Sequence, residues 1–239
     1  MAVAVRPPSV ELSLASSGDS TLQPYRRPPT LAAHPPHLTR PAGGSVKAMT
    51  RIISGFAGSL ALAVPPHGTR PTSDRVREAI FSALDARDAI ADARVLDLYA
   101  GSGALGLEAA SRGARTVTLV ERSYGAVPYT RKNAALIKKA APRRNGPTIE
   151  VTSSPVHAFL TSAEATWQIV FIDPPYDLTN TELVHALEVL VPRLETEAIV
   201  VLERSSRVPE PAWPEGLVLD RRKDYGDTAL YWLSPTADE

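Results

Sequence analysis

Asp97-Leu98-Tyr99-Ala100-Gly101-Ser102-Gly103-Ala104-Leu105-Gly106 is the stretch on which the reading of the fold turns. It has G-x-G-x-x-G spacing, with an apolar strand, Val95–Tyr99, on one side and a helix, Ala104–Ser111, on the other. Glycine lets a chain turn tightly and lets a ligand approach the backbone with no Cβ in the way. The same spacing also occurs in turns that are purely structural, so context has to decide. Outward from this point strands and helices alternate. Strands are expected at Thr116–Glu121, Thr148–Thr152, Gln168–Asp173 and Ala198–Glu203. Helices are expected at Tyr124–Ala140 (delayed by Pro128), Val156–Ala163 and Thr181–Leu190. Leu217–Arg222 and Thr228–Leu233 read as two closing strands around Asp224-Tyr225-Gly226. Repeated βα units predict an α/β fold, a mainly parallel seven-stranded sheet with ligands at the carboxyl ends of its strands.

Glu121 ends the next strand, 20 residues after Gly101. A carboxylate there accepts both hydroxyls of a ribose, so a nucleoside-containing cofactor is expected. Asp97 bears on which one. Beside a pyrophosphate it would place like charges together; beside the ammonium and sulfonium of S-adenosylmethionine it would attract. The methyl donor is therefore favoured over a dinucleotide. A second signal, Asp173-Pro174-Pro175-Tyr176, follows the buried-looking Val170-Phe171-Ile172 and falls on the same sheet edge. Two prolines stiffen a turn and leave its carbonyls available. A carboxylate and a carbonyl there accept protons from one exocyclic amine, and Tyr176 stacks on the ring that carries it. Both turns together, in this order on one edge, are far more specific than either alone.

Of the 239 residues, 44% are apolar, enough for one good core, and 26 basic groups balance 26 acidic ones. The balance is uneven. Residues 1–48 hold five basic and two acidic side chains, leaving 21 basic and 24 acidic in the remaining 191. A globally basic nucleic-acid binder is excluded, and any such contact must use a local patch. With no cysteine there is no disulfide, thiolate metal site or thiol nucleophile. His67, His157 and His185 lack metal-ligand spacing, so no metal is expected. No apolar run is long enough to cross a bilayer, and no apolar secretory segment opens the chain. A soluble, cytoplasmic monomer is the expectation.

Residues 1–48 carry eight of the 22 prolines and read as a disordered segment ahead of Met49. Residues 49–93 read as a small N-terminal unit, and 94–239 as the main domain. In the small unit, Arg51-Ile52-Ile53 and Leu60 to Val64 are expected as strands, with Gly55 and Gly58 at the turn. Thr72 is the expected cap of a helix through Asp74 that buries Val76, Ile80, Ala83 and Leu84, with Arg75 and Arg77 pointing away from that face.

These motifs resemble those of S-adenosylmethionine-dependent amino-methyltransferases. The wider pattern is similar to the RsmD family: Arg51-Ile52-Ile53-Ser54-Gly55, Arg70-Pro71-Thr72-Ser73-Asp74-Arg75-Val76-Arg77-Glu78-Ala79-Ile80-Phe81, the Asp97–Gly103 turn and Tyr225-Gly226-Asp227-Thr228. The resemblance runs from about Thr50 to Leu233. It implies a Rossmann-like class I methyltransferase fold with a small N-terminal β-hairpin and helix. It implies methylation of the exocyclic N2 of a guanine in 16S ribosomal RNA, guanine 966 by the family pattern, within the small ribosomal subunit or its assembly intermediate. Carried over, Asp97 and the turn of Gly101, Ser102, Gly103 and Gly106 hold the methionine part of the cofactor, and Tyr99 is among the cofactor-binding residues. Glu121 takes the ribose, with Arg122 and Ser123 adjacent, and Val156 lies by the adenine. Asp173, Pro174, Pro175 and Tyr176 hold the target base. Arg51, Arg70, Thr72, Arg75, Arg77 and Tyr225 contact RNA. Relatives place an acidic residue after the third strand, whereas here Thr152-Ser153-Ser154-Pro155-Val156 has none, so a hydroxyl, a backbone group or water must read the adenine.

Arg221, Arg222 and Lys223 extend the arginine set, since guanidinium forks suit phosphates. A guanine inside a helix hides its amine, so the target must be flipped out. A body of net −3 suits an assembled particle better than naked RNA. Trp167, Trp213 and Trp232 read as packing residues, and Lys138-Lys139 with Arg143-Arg144 as an exposed helix end. Other readings remain. A DNA amino-methyltransferase would need a larger target-recognition region. A glutamine methyltransferase would have Asn in place of Asp173. A dinucleotide oxidoreductase would leave Asp173–Tyr176 idle. A non-catalytic RNA-binding factor would need neither Asp97 nor Asp173.

Overall fold

The computed structural model describes residues 50–65 and 73–236, all within one compact unit. The expected segment 1–48, with Arg70 and Thr72, lies outside the described residues. After helix α1 (Asp74–Asp85), β-strands and α-helices alternate: β1 (Arg94–Leu98), α2 (Ala104–Ser111), β2 (Thr116–Glu121), α3 (Val127–Ala140), β3 (Thr148–Ser153), α4 (Val156–Ser162), β4 (Trp167–Ile172) and α5 (Asn180–Leu190). Three strands follow: β5 (Leu194–Ser205), β6 (Leu217–Tyr225) and β7 (Thr228–Pro235). They form one seven-stranded sheet in the order β3-β2-β1-β4-β5-β7-β6, parallel except where β7 runs against β5 and β6. The strand order reverses beside β1, between β1 and β4, which is where an open α/β sheet leaves a crevice at its carboxyl edge.

Nearly every residue of β1, β2 and β4 is buried, as parallel strands covered on both faces require. One face packs against α1, α2, α3 and the N-terminal hairpin, the other against α4 and α5. Ile52, Ala57 and Leu62, with Val76, Ile80, Phe81 and Leu84 of α1, belong to the same buried cluster as Val95 and Phe171 of the sheet. In α1, Val76, Ile80, Phe81 and Leu84 are buried, and Phe81 meets Phe171 of β4 at 5.6 Å between ring centroids. Each such side chain contributes about 1.5–3 kcal/mol. Trp167 and Trp232 are buried, while Trp213 lies half-buried against Tyr231. No helix among the described residues is long and apolar enough to cross a membrane.

Several local expectations change. Arg51–Ile53 and Leu60–Val64 do not form strands; a single antiparallel bridge, Arg51 to Ala61, joins them. The pairing is cut short because this segment spends its amides elsewhere: Ile53 N and Ser54 N donate to Glu108 at 2.6 and 3.0 Å, and Ala57 N to Ser111 Oγ at 3.0 Å. The cap of α1 is Ser73, whose hydroxyl accepts from Val76 N at 3.3 Å. A cap hydroxyl reaches the amide three residues on, and the helix starts at Asp74. Strand β1 stops at Leu98, because Tyr99 takes the left-handed conformation, φ 61°.

Candidate active site

The glycine turn leaves β1 through three successive left-handed positions, Tyr99, Gly101 and Gly103 (φ 61°, 55° and 79°). For a bulky residue such as Tyr99 this conformation is strained, and strain of this kind collects at functional turns. Gly106 is required for closeness: a Cβ there would lie 2.4 Å from the Leu119 side chain, so helix α2 could not sit on β2. The turn is held by carboxylates beneath it. Asp97 Oδ2 accepts from Gly106 N at 2.8 Å. Glu121 Oε2 accepts from Gly101 N at 2.8 Å and Oε1 from Ser123 N at 2.6 Å. From α3, the Thr130 hydroxyl donates to Gly101 O at 2.6 Å, and Asn133 Nδ2 to Ser102 O at 2.8 Å. Asn133 also exchanges two 2.9 Å bonds with the backbone of Ala63.

Burial pushes the Asp97 carboxyl up from 3.8 to about 7; the Gly106 amide opposes this, while the charges of Asp173 and Glu121 add to it. Three carboxyl groups thus converge where β1, β2 and β4 end. This is an unfavourable place for a pyrophosphate and a favourable one for a cation. A donor carrying an ammonium and a sulfonium fits it.

Strand β4 lies beside β1 with Ile172 opposite Leu98, so the Asp173-Pro174-Pro175-Tyr176 corner leaves the sheet next to Tyr99. Pro174 is buried, Asp173 and Pro175 are half-buried, and Tyr176 is 72% exposed. Pro175 O accepts from Leu178 N at 3.0 Å and closes the corner. Arg204, buried on β5, donates to Leu178 O at 2.9 Å and Asn180 Oδ1 at 3.1 Å, bracing the segment that leaves it.

The structure thus brings Asp97, Tyr99, Gly101, Ser102, Gly103, Gly106 and Glu121 into one edge with Asp173, Pro174, Pro175 and Tyr176. Ser123 is tied to Glu121, Arg122 is exposed beside it, and Val156 is buried at the start of α4. The cationic set divides. Arg51 and Arg75 are exposed, and Tyr225 is half-buried under Lys223. Arg77 is the correction: it is fully buried, donating to Arg51 O at 2.9 Å and Asp74 Oδ1 at 2.6 Å, so its charge is spent inside the protein. Arg222 pairs with Asp224 at 3.0 Å, and Arg221 stacks on Trp232. Thr130, Asn133, Glu108 and Arg204 were not legible as site supports, because their partners are backbone groups distant in the chain. No group of acidic and histidine residues among the described residues is arranged to hold a metal.

Comparison with known proteins agrees with this geometry. The family model described as conserved hypothetical protein 95 matches residues 50–234. Ribosomal RNA small subunit methyltransferase D of Escherichia coli K12 is 37% identical over 182 residues, covering 75% of this chain and 86% of its own. YlbH of Bacillus subtilis, named for rRNA methyltransferase activity, is 33% identical over 184 residues, covering 75% and 96%. The solved structure of the methyltransferase yhhF from Escherichia coli superposes with a TM-score of 0.66 at 35% identity, covering 80% of this chain and 99% of that one. A glycine turn floored by carboxylates, an Asp-Pro-Pro-Tyr corner on the same sheet edge, and these matches across the described chain show that it belongs to the RsmD family of methyltransferases.

Proposed function

We propose that this enzyme methylates the exocyclic N2 of a guanine in 16S ribosomal RNA, presented by the small ribosomal subunit or an assembly intermediate. The observation that carries the reading is the adjacency of the two turns: β1 and β4 are hydrogen-bonded neighbours, so the donor turn and the amine corner open side by side. S-adenosylmethionine, when bound, supplies an electrophilic methyl group on a sulfonium. Asp97 and the Gly101–Gly106 turn take its methionine part, and Glu121, fixed by two backbone amides, takes the ribose.

The remaining work falls to the acceptor corner. The N2 lone pair of guanine is delocalised into the ring, which makes the amine a poor nucleophile. Asp173 and the Pro174 carbonyl accept its two hydrogens and localise that pair. Asp173 is the acceptor for the proton the nitrogen sheds once alkylated. Tyr176, exposed and rigidly held on a Pro-Pro turn, stacks on the flipped base. Orientation of the amine on a fixed corner supplies the proximity term. Arg51 and Arg75, both exposed, serve phosphates. The test is incubation with radiolabelled S-adenosylmethionine and small subunits from a strain lacking the enzyme, followed by nucleoside mapping. N2-methylguanosine is the expected product; label in adenosine, or none in RNA, overturns the reading.

A further inference from the structure

The acceptor corner forms only one wall of a pocket. Strands β4 and β5 are parallel with Ile172 opposite Leu202, so the chain enters the Asp173 corner beside Glu203 of β5. Both line the same small open pocket. Asp173, Pro174 and Tyr176 line it on the β4 side; Glu203, Ser205 and Thr228 line it on the side of β5 and β7. Strand β7 runs antiparallel to β5, with Thr228 opposite Ser205. The Thr228 hydroxyl lies 3.5 Å from Glu203 Oε1.

An ionised carboxylate only accepts hydrogen bonds. Along the Watson–Crick edge of guanine, the N1–H donor lies immediately beside the N2 amine. In adenine and in 2,6-diaminopurine, N1 bears a lone pair. A second carboxylate one strand away from the amine site therefore favours guanine and sets a lone pair against a charge for the others. We propose that Glu203 is the residue that selects guanine, accepting N1–H while Asp173 and the Pro174 carbonyl take the N2 hydrogens. This rests on the amine-methylation reading of that corner and adds the base preference to it. Selection of this kind works by an acceptor that matches the N1–H of guanine and meets a lone pair in the other bases.

The test uses small subunits reconstituted with 16S RNA bearing either guanosine or 2,6-diaminopurine at the nucleotide the enzyme methylates. Both bases carry a 2-amine. The full-length wild type is expected to prefer guanosine in kcat/KM by about tenfold or more. Glu203→Gln, which keeps an oxygen for Thr228 but presents either an acceptor or a donor, is expected to cut that ratio to a few-fold, mainly by slowing guanosine. Donor affinity by calorimetry stays unchanged. The ratio is taken within one preparation, so a partly folded variant does not blur it. A variant that keeps the wild-type ratio overturns the inference alone, as does a wild type indifferent to the two bases. A wild type that leaves guanosine unmethylated overturns the amine reading and the inference with it.

Discussion

The turn after β1 and the corner after β4 lie side by side and are built in opposite ways. In the first, carboxylates are buried and already bonded: Glu121 is 8% and Asp97 2% exposed, and both hold backbone amides. In the second, Asp173 is half-buried and Tyr176 stands 72% in solvent on a stiff Pro-Pro frame. A small donor of fixed shape is best met by a site organised before it arrives. An acceptor base that belongs to a large particle needs an open approach, with rigidity confined to the few atoms that orient its amine. Stability and chemistry should therefore separate between the two.

The largest expected effect breaks that pairing at the acceptor. Asp173→Ala should lower methyl transfer by about 10²–10³-fold, the scale of a lost transition-state contact, while calorimetric donor affinity stays near wild type. Parallel loss of donor affinity would show that the two sites are one. Glu121→Ala should do the reverse. It removes the acceptor of Gly101 N and Ser123 N together with the proposed ribose contact, so the donor Kd should rise about 10–100-fold, with a fall in Tm. Unchanged affinity would refute the ribose role.

A smaller effect follows from Asp97. Its carboxyl sits at about 7, raised mainly by burial. Between 3.8 and 7 the folded chain holds a proton that the unfolded chain has released, so this group favours folding at low pH and loses that contribution as pH rises toward 7. A cationic donor requires the carboxylate. Donor affinity should therefore drop about tenfold between pH 8 and pH 6, and binding near pH 7 should release a proton, read as a buffer-dependent heat in calorimetry. A flat profile would remove Asp97 from contact with the donor.

How much of this could be read from the chain alone follows the same division. The glycine turn, Glu121 and the Pro-Pro corner were legible because buried parallel strands are written as continuous apolar runs that end in turn chemistry. Helix α2 has the predicted bounds for the same reason. The supports were not legible. Glu108 and Ser111 lie on an apolar helix, and only folding reveals that they cap the amides of residues 53–57. That capping is why an expected strand pair became one bridge. Glu203 reads as the polar end of a strand, and only the pairing of β7 with β5 brings the Thr228 hydroxyl to its carboxylate. Arg77 misled because arginines are mostly exposed. Its one local signal was Asp74 three residues earlier, a spacing that also suits a surface pair.

Arg77 also gives the mildest test and shows to which half the N-terminal segment belongs. Its guanidinium bonds Arg51 O and Asp74, joining the bridged segment to the first turn of α1. Arg77→Met keeps the buried stem but leaves Arg51 O unsatisfied, at a cost of about 1–3 kcal/mol. Chemical denaturation should show that loss. Below the transition, donor affinity should be unchanged, since the glycine turn is held from α3 by Thr130 and Asn133. Transfer to small subunits should fall only slightly, through KM. If donor affinity falls instead, the Asn133 link to Ala63 transmits strain to the turn, and the segment belongs to the donor half. A pure KM effect assigns it to the acceptor half, in keeping with the proposed phosphate role of exposed Arg51 and Arg75.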